Sequence, residues 1–108
     1  MATEKVIPIT GSDNRHVRVD DNGHVDNDPV HVSKSAGHQV TWSSRSKAVI
    51  IAFSSDSGSP FEEAIFHISA GGSVSSGPAK ATAEAEKPYQ YSVVRENRVN
   101  DPTVIIHN

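Results

Sequence analysis

Short runs of Val and Ile, broken roughly every eight to twelve residues by Gly, Pro, Asn or Asp, constrain this chain more than any other feature. Such breaks leave little room for helices of ordinary length, but strands of about four to eight residues fit between them. The runs fall near 5–9, 16–20, 30–33, 40–42, 49–53, 66–68, 89–93 and 104–106, most of them alternating apolar with polar residues. Alternation of this kind buries one face of a sheet and pins its register. The pattern predicts one all-β domain over 1–108: a Greek-key β-sandwich of about eight strands, pairing antiparallel. At most one or two helical turns are expected. Ser59-Pro60-Phe61-Glu62 has capping-box spacing with Pro at the first helical position. "AKATAEAEK" has helix-forming residues but is too short to hold a helix alone, so it reads as a loop with one turn.

Parity assigns the core to Val17, Val19, Val30, Val32, Val40, Trp42, Val49, Ile51, Phe53, Phe66, Ile68, Val74, Tyr91, Val93, Val104 and Ile106. Asn22-Gly23 and Gly71-Gly72 supply turns. "NDP" stands before two Val-rich runs, at 27–29 and 100–102, and reads as shared turn chemistry.

The absence of Cys removes disulfides, thiolate nucleophiles and thiolate metal sites. A net charge of −3 with interspersed signs gives no broad basic face, so neither nucleic acid nor an anionic membrane is an expected partner. The start, "MATEKVIPIT", lacks a hydrophobic signal region. The expectation is a cytoplasmic protein if Met1 is the native start, and a periplasmic or secreted one if a leader has been removed.

Catalytic constellations are not visible, and no enzyme activity or cofactor is expected. Adjacent carboxylates such as Asp20-Asp21 and Glu62-Glu63 point to opposite faces of a strand. The Ser-rich stretch 54–59 has no G-x-S-x-G frame, and no phosphate-binding Gly motif occurs. Six His residues stand out. His16, His31, His67 and His107 take the parity opposite to the core, and His24 and His38 sit at turns. None has strand or helix spacing for a metal pair. Convergence across strands would make His31, His38, His67 and His107 the candidates for copper or zinc.

Three stretches resemble the cupredoxins, the small copper-protein sandwiches. "VHVSKSAGHQVTW" is similar to their segment in which a Val-rich strand leads through a Gly turn into V-x-W. "SKAVIIAF" is similar to the segment where the family places its first copper His before V-x-F. "KPYQYSVV" is similar to the strand whose Cys binds copper, and "DPTVIIHN" to the closing strand. The resemblance runs from about Val17 onward and implies the sandwich fold. It puts Val49 at the first His position and Val93 at the Cys position. The loop that follows, 95–101, holds no Cys, His or Met. A blue-copper site needs two His and a Cys, so such electron transfer is excluded on chemistry.

The resulting expectation is a copper-free, cupredoxin-like binding or scaffolding module with a protein partner or a second copy of itself. Metal binding through surface His is the alternative. The interaction surface is expected at the sandwich end carrying Arg45, Lys47, Arg95, Asn97 and Arg98, with local positive charge. The loops 43–47 and 95–101 should meet there. Outward Ile50, Ala52 and Ile105 offer a second surface.

Overall fold

The computed structural model describes residues 14–95 and 98–108; the run at 5–9 lies outside them. Among these described residues nine strands form: β1 (Asn14–Val19), β2 (Val30–Ser33), β3 (Gln39–Ser44), β4 (Val49–Phe53), β5 (Ile65–Ile68), β6 (Ser73–Pro78), β7 (Pro88–Arg95), β8 (Arg98–Asn100) and β9 (Thr103–His107). One sheet has the order β1-β3-β6 and the other β2-β9-β7-β4-β5, with β8 paired to β7. The protein is an all-β sandwich, and no helix occurs among the described residues.

Two pairings depart from the antiparallel expectation. β1 runs parallel to β3, and β2 parallel to β9. Parallel neighbours need a crossover between them. The chain supplies one by crossing to the second sheet for β2 before returning for β3. The "NDP" turns consequently precede two strands that lie side by side. The Asp28 carboxylate accepts the Thr103 backbone N–H at 2.9 Å and ties the turns together.

The core follows from strand parity. Every residue assigned to it is buried except Val74, which is partly covered. Phe61, Ala83 and Tyr89 are buried as well. Trp42 is the hub, with ring centroids of Phe66, Tyr91, Phe53 and Phe61 at 5.2, 5.5, 6.2 and 6.3 Å. Its contacts link β3 of the first sheet to β4, β5 and β7 of the second. The capping-box sequence makes a turn without a helix. Ser59 Oγ accepts the Phe61 N–H at 3.1 Å and donates to the Glu63 carbonyl at 2.7 Å, while Phe61 drops into the core. Burial of that ring competes with continuing a helical turn that would carry it away.

A loop is predicted over 95–101, but Arg95 ends β7 and Arg98–Asn100 forms β8. The registers Ile50↔Val94 and Val94↔Val99 line these residues up across three strands. Their parity is opposite to that of buried Ile51 and Val93, so they belong to the outer face. There Ile50, Ile65 and Val99 are exposed.

Candidate functional site

Val49 and Val93, which the sequence resemblance sets at copper-ligand positions, are 2% and 0% exposed. They project inward from neighbouring strands, since Val93 pairs with Ile51, two residues beyond Val49. Apolar side chains at both places leave no donor atom for a metal.

The end expected to carry the interaction surface is assembled through a third loop. Asp20 Oδ1 accepts the N–H groups of Asn22 and His24, each at 2.9 Å, which shapes the turn 20–24. These bonds, that from His24 first, hold the Asp20 carboxyl below its ordinary value. Gly23 closes the turn with φ of +82°, a backbone state costly for other residues. The loop expected over 43–47 is shorter, because Ser43 and Ser44 end β3; it reaches the turn through Arg45 N–H to the Val19 carbonyl at 3.1 Å, and through Ser46 Oγ to the Asp21 carboxylate. The β8 side reaches it through Asn100 Nδ2 to the Gly23 carbonyl at 2.9 Å. The two loops thus share one end by way of the turn between β1 and β2.

The character of that end differs from the expectation. Arg45 and Lys47 are exposed, but Arg95 is buried. Its parity with Tyr91 and Val93 turns it inward. Asn97 and the side chain of Arg98 lie outside the described residues. Asp20 and Asp21 stand beside Arg45 and Ser46, and Arg18 pairs with Asp26 at 3.6 Å. The surface is therefore mixed in charge rather than positive. A depression of about 500 Å³ lies there, lined by Arg18, Asp20, Asp26 and Arg45 together with Val19 and Val25.

The histidines divide. His31, His38 and His107 line one cavity of about 420 Å³ at the β2 edge, with Arg15, Asn27 and Ser33. His67 is elsewhere, in a depression with Ala48, Ile50 and Val94. Because β2 and β9 are parallel neighbours, His31 and His107 stack at 5.0 Å, with His31 Nδ1 2.8 Å from His107 Nε2. His107 Nδ1 lies 2.9 Å from Glu86 Oε2, so both of its ring nitrogens are engaged. Among the described residues, no group of three His, Asp or Glu is placed to hold a metal.

Sequence reasoning missed Arg15, Glu86 and Asn100. Arg15 carried a signal, since it shares parity with Val17 and Val19 and so faces inward at the start of β1. Glu86 meets His107 only through the path of a loop, which no periodicity reports. No family model matches the chain, and no curated protein matches it.

Proposed function

We propose that the chain is a copper-free, cupredoxin-like binding module that recognises a protein partner through the end carrying Arg45 and Lys47. One observation carries this reading: Val49 and Val93, at the matched ligand positions, are buried core residues. What stays exposed at that end is a mixed-charge surface on a rigid sandwich, the kind of loop surface that proteins use for recognition. Arg45 and Lys47 supply cations for directed hydrogen bonds, and Asp20, Asp21 and Asp26 supply acceptors.

The test compares partner capture by the wild-type chain and by the Arg45→Ala, Lys47→Ala double variant. Both residues are exposed, so folding stability should stay within about 0.5 kcal/mol. A partner held by the wild type and lost by the variant supports the reading. A partner retained with unchanged affinity moves the interface to the outer face around Ile50, Ile65 and Val99.

A second reading, copper or zinc uptake by histidine, has one observation in its favour: His31, His38 and His107 line a common cavity. Its test is thermal stabilisation by Zn(II) or Cu(II) that His31→Ala removes, since a ligand of the folded state raises apparent stability.

A further inference from the structure

Among the described residues, β1 and β6 flank one sheet, and β2 and β5 flank the other. Three of these edges are closed or broken. At β1 the Asp26 N–H donates to the Arg18 carbonyl at 3.2 Å, and Asp26 Oδ1 accepts the Arg18 N–H at 2.8 Å. At β2 the Ser33 N–H donates to His38 Nδ1 and the Ser33 carbonyl accepts the His38 N–H, each at 3.1 Å. β6 shifts its register and ends on Gly77-Pro78, which makes it a poor template for another strand.

The fourth edge, β5, is open. The Phe53 N–H donates at 2.8 Å to the carbonyl of Ala64, the residue directly across the β4–β5 ladder. Alternation along that ladder gives the next bonds to Phe66 and Ile68. The N–H and C=O groups of Ile65 and His67 therefore point away from β4, and among the described residues they meet no partner. Ile65-Phe66-His67-Ile68 has no Lys or Pro, the residues that commonly shield an edge. The Ile65 side chain is 55% exposed.

This edge is complementary to itself. A two-fold axis at Phe66 would lay an antiparallel copy of β5 beside the first. Ile65 then stands opposite His67 of the second copy, and His67 opposite its Ile65. Each pair exchanges two backbone bonds, which uses every open group. Opposite residues share a face, so the two Phe66 rings stay on the inner side and Ile65 falls beside His67 of the second copy on the outer side. His67 borders a hollow of about 600 Å³ with Ala48, Ile50 and Val94, so the exposed isoleucine gains apolar neighbours. Charge fixes the direction. Glu62 and Glu63 are exposed just before β5, and Lys47 just before β4. Because β4 and β5 are antiparallel, these charges lie at opposite ends of the pair. The two-fold carries the acidic end of each copy toward Lys47 of the other. Parallel pairing would instead set the acidic ends side by side.

We propose that β5 is a dimerisation edge, through which two copies of the chain pair antiparallel at Ile65 and His67. Their larger sheets then become one continuous sheet. The inference goes beyond capture of a different protein and can fail while that capture holds, because neither residue belongs to the Arg45–Lys47 end. A contact this small gives a weak dimer, half formed at about 0.1–1 mM.

Sedimentation equilibrium of the full chain from about 0.01 to 1 mM, with amide hydrogen exchange at both limits, tests it. The mass should rise from one chain toward two, and the Ile65 and His67 amides should exchange more slowly at the upper limit. His67→Pro removes an N–H that the fold itself leaves unused, so the fold should persist while the dimer weakens about tenfold or more. Ile65→Lys, at an exposed edge position, should weaken it by a similar factor. If circular dichroism shows that His67→Pro does not fold, Ile65→Lys and the amide exchange decide. The proposal is overturned if the chain stays monomeric at about 1 mM. It is equally overturned by a dimer whose affinity neither variant changes, or whose Ile65 and His67 amides gain no protection.

Discussion

At the scale of single residues, Tyr91 has the most definite physical signature. It is fully buried against Trp42 and Phe53. Burial pushes its phenol from the ordinary 10.0 up to about 12, opposed by the adjacent Trp42 indole and assisted by Asp28 and Asp26. The indole and phenol ring centroids lie 5.5 Å apart, yet neither Trp42 Nε1 nor Tyr91 Oη has a hydrogen-bond partner among the described residues. The folded chain holds the Tyr91 proton longer than the unfolded chain does. Its contribution is therefore complete below pH 10.0 and is lost as pH rises through about 12. The full loss is on the order of 2–3 kcal/mol, read from urea midpoints at increasing alkalinity. Tyr91→Phe should abolish this Tyr91 component. At neutral pH the same substitution should change stability by less than about 1 kcal/mol, because it removes an unpartnered hydroxyl. Parity made Tyr91 legible as core. The same rule also turned Arg15 and Arg95 inward, where charge alone suggests solvent.

At the scale of elements, strand edges and irregularities resisted reading. The register of β3 against β6 shifts between Gln39 and Thr41. There the buried N–H of Val40 leaves the ladder and donates to Ser76 Oγ at 2.9 Å. Nothing in the alternation of β3 marks this exchange, because it depends on a serine far along the chain. Ser76→Ala should strand that N–H and cost about 1–3 kcal/mol, with faster hydrogen exchange at Val40 as the local readout. An unchanged urea midpoint would show that water replaces the serine. The loop 79–87, by contrast, was legible as a loop, being too short to hold a helix alone. Its sequence favours helix, but Lys34 pins the Ala81 and Ala83 carbonyls, and Tyr89 Oη accepts the Glu84 N–H at 2.9 Å. These long-range partners hold it in turns, with Ala83 buried. β8 was hidden because one apolar residue, Val99, is too little alternation to announce a strand.

At the scale of the whole molecule, the two-sheet sandwich was legible because punctuation and alternation agree along most of the chain. The candidate sites were legible only in part. Strand parity put His31 and His107 on one face, but their contact needs the parallel pairing of β2 with β9, which sequence spacing does not contain. Likewise the segment after β3 and the β8 side are joined through the turn 20–24, a link that sequence spacing does not contain. The matched ligand positions are where fold and proposed function join. A vacated site would leave Val93 at the rim of a hollow, tolerant of truncation. A packed core would not, since two lost methyl groups forfeit their transfer energy and leave a cavity. Equilibrium urea unfolding of Val93→Ala tests this most directly. The packed core predicts a loss of about 2–3 kcal/mol, read as a lower midpoint with an unchanged slope. A change within about 0.5 kcal/mol, the scale of a surface substitution, would contradict it.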